Sequence, residues 1–206
     1  MMRGGIRTLI EREPDLTVSG EADDAEAALR ALNDRLPLDL VLLDLSLPGM
    51  SGLDLLKHIR SLYPALPVLV LSAHEEAVYA DRVVRAGAQG YVSKNTSSED
   101  IIAAIRTVLS GGLALSETLK QRILTSGAAN DETPLVGQLS DRELEVFEHI
   151  GYGRSTAAIA EAMYISRKTV ESHRLNIKKK VGVETSNQLV QRAAVWVATR
   201  GVPPAK

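Results

Sequence analysis

The chain has no cysteine. That excludes a disulfide scaffold, a thiolate metal site and a cysteine nucleophile. Aromatic residues make up only 3% of the 206 positions, so any core must be assembled from Leu, Val, Ile and Ala. No apolar run approaches the roughly 18 residues that a bilayer-spanning helix requires. The opening Met-Met-Arg-Gly-Gly-Ile lacks a signal-type apolar stretch. A cytoplasmic protein with no membrane association is expected. Net charge is also small, at −2, but it is unevenly spread. Residues 140–206 carry eleven Lys or Arg against seven Asp or Glu, net +4, and the rest carries thirteen against nineteen, net −6. Such an imbalance suggests that only the second part meets a polyanion.

What is present is ordinary for a globular chain: 45% apolar and 24% charged residues, in a length that suits two small domains. The first part alternates strand-like and helix-like segments. Strands are expected at Leu16–Ser19, Leu40–Leu43, Val68–Leu71 and Gly90–Ser93. Helices are expected at Asp24–Arg35, Leu53–Tyr63, Ala77–Ala86 and Ser97–Ser110. The continuous apolar runs suit strands covered on both faces, and the alternation means a parallel sheet flanked by helices. Residues 116–125 offer one more short helix, and 126–134 are small and polar, as in a linker. From Ser140 onward every signal is helical. Ser140 with Glu143, and Thr185 with Gln188, have capping-box spacing, Ser155 and Ser166 open helices, and Gly182 and Gly201 close them. Four short helices with a tight Tyr164-Ile165 junction between the second and third suit a helix-turn-helix.

Three strand ends carry chemistry. Asp44 follows Leu40–Leu43 directly and precedes Leu-Ser-Leu-Pro-Gly-Met-Ser-Gly. The next strand ends at Ser72, and the last leads into Lys94. Strand C-termini of open parallel sheets line the ligand crevice, so a carboxylate, a hydroxyl and an ammonium are delivered to one edge. His58 and His149 lie on helical stripes and read as surface or packing residues.

With these residues in place, 3–112 resembles a response-regulator receiver domain and 140–200 resembles a LuxR-type helix-turn-helix. Together they resemble the NarL/FixJ family of two-component transcriptional regulators. The resemblance implies an α/β flavodoxin-like receiver domain, N-terminally truncated, over 1–112. A linker with a possible short helix follows over 113–138, and an all-α four-helix helix-turn-helix domain over 139–206. It implies Asp44 as phosphoacceptor for a histidine kinase, Lys94 and Ser72 as phosphate-binding groups, and Tyr91 as a switch aromatic. Ser46 and His74 stand where family members tune the phosphate's lifetime. The implied cofactor is Mg²⁺, held by Asp44 and the Ser46 backbone carbonyl, but the acidic pair that completes the site is missing. Residues 2–14 match the family's first helix rather than its first strand, and Asp23-Asp24 reads as a helix cap. A start codon assigned too late, a truncation, or a true variant working without phosphorylation would each account for this. The sheet then either carries a gap or re-pairs 16–19 with 40–43.

On a helical wheel, Val170, His173, Ile177 and Val181 form the packing face of the third helix of the second domain. Lys168, Glu171, Ser172, Leu175, Asn176 and Lys179 form the opposite, polar face, as in a helix entering a major groove. Lys168, Glu171, Ser172 and Leu175 are candidates for base edges, with Leu175 suited to a thymine methyl, and Thr169 is a further DNA-binding candidate. Arg167, Arg174, Lys178, Lys179 and the rest of the lysine run are candidates for phosphates. On the fourth helix, Trp196 is expected in the core, and the family implies a homodimer on double-stranded DNA. The leading reading is a DNA-binding transcriptional regulator controlled by phosphorylation of Asp44. The alternative is a phosphorylation-independent regulator whose receiver serves only dimerisation or protein interaction. An enzyme is disfavoured by the lack of a glycine-rich phosphate loop, a serine elbow or a His/Cys/Glu metal cluster.

Overall fold

The computed structural model describes residues 2–34, 38–73, 76–117, 119–121 and 135–199. The chain divides into two compact units, Met1–Lys120 and Gln121–Lys206.

The first unit runs α1 (Met2–Glu11), α2 (Ala25–Asn33), β1 (Val41–Leu43), α3 (Gly52–Leu62), β2 (Val68–Ser72), α4 (Glu76–Arg85), β3 (Gly90–Ser93) and α5 (Ser98–Leu109). Side chains set the helix starts. Asp24, Ser51 and Ser97 each accept a backbone N–H three residues on, as N-caps do. Asp24 is therefore spent on opening α2.

The strands form one parallel sheet in the order β1-β2-β3, with Val41 beside Val68 and Leu69 beside Gly90. β2 is central and all five of its residues are buried, which is why it reads as an unbroken apolar run. Leu69, Leu71 and Val92 pack with Ile101, Ile102, Ile105 and Val108 of α5. Val68 and Val70 alternate with them and are equally buried, so both sheet faces are covered. Arg106 of α5 ties down the chain after α1. Its Nη2 lies 2.7 Å from a Glu13 carboxylate oxygen and 2.7 Å from one of Asp15.

Three expectations are corrected here. Leu16–Ser19 is not a strand. An extended segment becomes a strand only through a ladder partner, and β1 pairs with β2 alone among the described residues, so the sheet is three contiguous strands and neither the expected gap nor the re-pairing arises. Leu16 instead packs, partly buried, against the α5 core with Ile6, Leu9 and Ile10. Leu62, which shares helical spacing with Leu53, Leu56 and Ile59 in the sequence and so is expected with them in the core, is 61% exposed while those three are buried. The segment after Gly112 is not free linker: Ala114 bridges Gly90, accepting from Tyr91 N and donating to Gln89 O at 2.9 Å each. Of the short helix expected at 116–125, residues 117 and 119–121 are helical, and residues 122–125 with the linker at 126–134 lie outside the described residues.

The second unit opens with a 3-10 turn (Leu135–Gln138), followed by α6 (Asp141–Gly151), α7 (Thr156–Ala162), α8 (Arg167–Val181) and α9 (Ser186–Ala198). Both expected capping boxes are complete, Ser140 with Glu143 and Thr185 with Gln188. Gly182 closes α8 in the left-handed region at φ 68°, a conformation that glycine adopts without steric cost. The core joins Leu144, Phe147 and Ile150 of α6 to Ile159, Val170, Ile177, Val181, Leu189 and Ala193. The Trp196 ring stands 5.5 Å from that of Phe147. Among the described residues no helix is long and apolar enough to cross a membrane.

Candidate functional site

Asp44 sits one residue past β1. Its Oδ1 accepts the Ser46 N–H at 3.0 Å, and the Lys94 ammonium contacts its Oδ2 directly. The two side chains are 50 residues apart in sequence and meet because β1 and β3 flank β2. Lys94 is 12% exposed and Asp44 32%, so the ammonium is mostly enclosed while the carboxylate keeps a face open to the outside. The Lys94 N–H donates to the Ser72 carbonyl at 2.8 Å, which fixes the strand end from which the side chain departs.

Ser72 ends β2 beside Ser93 and is fully buried. Tyr91 is 4% exposed, beside Val70. His74 lies outside the described residues. His58 is exposed, with Nδ1 2.8 Å from the Asp54 carbonyl.

Gly52 permits this geometry. It donates to the Leu45 carbonyl at 3.0 Å, and a Cβ there would stand 2.2 Å from the Asp44 carbonyl oxygen. The second glycine of the Leu-Pro-Gly-Met-Ser-Gly stretch is therefore a packing requirement for the loop that carries Asp44.

The rim as described does not make a divalent-cation site. Mg²⁺ demands near-octahedral oxygen ligation. No group of three or more His, Cys, Asp or Glu able to hold a metal exists among the described residues. The Asp44 carboxylate already has an ammonium on one oxygen.

In the second unit, α8 divides as the wheel requires. Val170, Ile177 and Val181 are buried, while Arg167, Lys168, Thr169, Glu171, Ser172, Leu175, Asn176 and Lys179 are exposed. Leu175 is 53% exposed, an apolar group held in solvent on an otherwise polar face. Arg174 and Lys178 are half-buried. Several of these groups have internal work. The Thr169 hydroxyl lies 2.8 Å from that of Ser166, the cap. Glu171 accepts the Thr156 hydroxyl of α7 at 2.8 Å, and the Ser172 hydroxyl donates to the Lys168 carbonyl.

The lysine run is not uniform. Lys180 turns to Glu143 at 2.6 Å, bracing the end of α8 against the start of α6. Glu143 is only 4% exposed. Burial pushes its carboxyl up, but the Lys180 pair and the Ser140 bonds outweigh that and hold it below the usual glutamate value. His173, on the packing face, is pushed down by burial, with Glu143 opposing and Arg142 reinforcing.

Sequence reasoning placed Lys180 with the phosphate contacts and gave Glu143 only a capping role. The hint was available in that Lys180 lies three residues from Ile177 and one from Val181, at the border of the packing face.

The comparisons with known proteins agree with this two-part layout. Residues 1–106 match the family model described as response regulator receiver domain, and residues 137–193 that of bacterial regulatory proteins, luxR family. The chain is 37% identical over 198 residues to the Fimbriae Z protein of Salmonella typhimurium, covering 94% of this chain and 91% of that one. It is 36% identical over 201 residues to the nitrate/nitrite response regulator protein NarL of Escherichia coli K12, covering 96% and 90%. Among solved structures, RcsB from Salmonella enterica serovar Typhimurium, bound to promoter rprA in the presence of the phosphomimetic BeF3-, superposes with a TM-score of 0.60. It shares 26% identity, over 93% of this chain and 92% of that one.

Proposed function

This chain belongs to the response regulators that join a receiver domain to a LuxR-type DNA-binding domain, and within that family we propose that Asp44 is the phosphoacceptor and the exposed face of α8 the DNA reader. The family consists of transcriptional regulators of two-component systems, not enzymes. The observation that carries the reading is the Lys94 ammonium on the half-open Asp44 carboxylate. In the transfer, an Asp44 oxygen bonds to the phosphorus as the bond to the donor histidine nitrogen breaks, its electron pair returning to the imidazole. Lys94 then balances the added negative charge, and the Ser72 hydroxyl donates to a phosphoryl oxygen. Ser72 so drawn would free space for Tyr91 to turn inward, and Ser46 and His74 would set how readily water reaches the phosphoryl group. A sensor histidine kinase is the implied donor. DNA would be met by Lys168, Thr169, Glu171, Ser172 and Leu175 in the groove and by Arg167, Arg174, Lys178 and Lys179 on phosphates, with two copies of the chain on paired half-sites. The domain limits proposed are 1–112 for the receiver, 113–138 for the connecting segment and 139–206 for the helix-turn-helix domain.

A second reading is favoured by the lack, among the described residues, of a His, Cys, Asp or Glu cluster that could hold a metal at this rim. Receiver domains bind Mg²⁺ for phosphorylation, and this rim lacks the ligands to hold it well, which supports a regulator whose receiver acts by protein contact alone. Incubating the full chain and Asp44→Ala with acetyl phosphate, with and without Mg²⁺, and weighing the intact proteins separates the two. A phosphoryl adduct on the parent and none on Asp44→Ala is expected from the first reading. No adduct on the parent under any condition, with duplex binding retained, overturns it in favour of the second.

A further inference from the structure

Tyr164 stands between α7 and α8 and is the one non-glycine residue with positive φ among those described, at 54°. Its N–H donates to the Glu161 carbonyl at 3.2 Å, and the next N–H, of Ile165, reaches the Ala160 carbonyl at 3.0 Å, so Tyr164 occupies the left-handed position that ends a helix. Glycine or asparagine suits that backbone, whereas a bulky side chain is strained there. The ring gains nothing in return from packing: Tyr164 is 71% exposed, more than any other large hydrophobic residue of the described chain. Its hydroxyl has no hydrogen-bond partner among the described residues. It lines an open cleft of about 470 Å³ with Ala157, Ala160, Glu161, Ile165 and Arg167, the last being the first residue of α8. A residue both strained and solvated points to a use outside the fold.

We infer that Tyr164 contacts the DNA sugar–phosphate backbone, its hydroxyl donating to a phosphate oxygen beside the one met by Arg167. This rests on the DNA-reading role of α8. When the second helix of such a unit lies in the major groove, its N-terminal residues meet the bases, and the turn immediately before them lies against the groove wall, where phosphates are. Tyrosine is among the neutral donors that serve phosphates, where it fixes register without reading sequence. Glu161, an exposed carboxylate on the same cleft, repels an anion, which leaves the α8 side, with Arg167 and the Tyr164 hydroxyl, as the place the phosphate is held.

The test uses the full chain, a random-sequence duplex several helical turns long, fluorescence anisotropy and thermal denaturation. Tyr164→Phe removes the hydroxyl alone and is expected to weaken binding by about 12- to 160-fold, the range of one hydrogen bond to a charged group. It should leave the salt dependence unchanged, whereas Arg167→Ala should flatten it. Tyr164→Gly supplies the residue the backbone prefers, so its melting temperature should hold or rise while affinity falls. Unchanged affinity in Tyr164→Phe overturns the inference, as does a Tyr164→Gly protein that loses affinity only in step with a lower melting temperature. If the parent fails to bind the duplex both before and after treatment with acetyl phosphate, the DNA-reading role of α8 falls first and this contact with it.

Discussion

Asp44 and Lys94 were readable as site residues because each follows a strand whose apolar run ends abruptly, and strand ends of one parallel sheet share an edge. Ser72 also stands at a strand end, buried beside Ser93, and its part in the site is the one proposed above. Gly52 was visible only as part of a motif. The structure supplies the reason for it: α3 begins so close to the Asp44–Leu45 backbone that a methyl group would stand 2.5 Å from the Leu45 Cα. Backbone atoms cannot swing aside as a flexible side chain does. Gly52→Ala is therefore expected to cost about 1–3 kcal/mol, as overpacking does, and to displace Asp44 from Lys94. Denaturant unfolding measures the first effect, and slower labelling by acetyl phosphate the second. A variant with parental stability and labelling would show that the loop yields freely.

At the scale of elements, local signals did well wherever one residue type closes a local bond. The caps at Asp24, Ser97, Ser140, Ser166 and Thr185 all bond the N–H they should. They failed at Leu16–Ser19, since strand formation depends on a neighbour that no local pattern can reveal. The α8 surface shows a similar division. The exposed face followed from periodicity, but the diversion of Lys180 to Glu143 depends on α6, 37 residues away.

Two groups make the second unit sensitive to acid, the buried His173 and the Glu143 carboxylate held by Lys180 and Ser140. Both His173 and Glu143 bind protons less readily when folded, so the unfolded chain takes up more protons as pH falls. Stability is full above the ordinary imidazole value of 6.5. It drops as pH falls through the depressed His173 value, and again below the ordinary glutamate value of 4.5 as Glu143 is protonated. Melting temperatures measured from neutral pH downward should show this decline. His173→Gln should flatten its upper part, and Glu143→Gln its lower part. A parallel decline in both variants would assign the effect to other groups.

For the whole molecule, the net charge of −2 conceals the property that matters. Six of the eleven basic residues of the second part lie on α8, where Arg167, Lys168, Lys178 and Lys179 remain for an external partner. If the four proposed phosphate contacts, Arg167, Arg174, Lys178 and Lys179, each release a counterion, duplex affinity per protomer falls on the order of a hundredfold between roughly 50 and 200 mM salt. Titrations of the full chain across that range measure the slope. A slope near zero would remove the electrostatic basis for DNA reading.

The amino-acid order alone determined the class of the protein. Alternating apolar runs and helical stripes specify a parallel α/β unit, and capping residues followed by a tight junction specify a helix-turn-helix. These signals are carried by neighbours within a turn or a strand. Tertiary structure alone decided which polar groups are spent internally and which stay outward. Lys180 is bound to Glu143, Glu171 leans on Thr156, one Asp44 oxygen is taken by Lys94, and Tyr164 is left in solvent. Those outcomes turn on partners tens of residues away and on which surface each helix loses to packing, and a charge or a hydroxyl carries no local mark of whether such a partner will arrive.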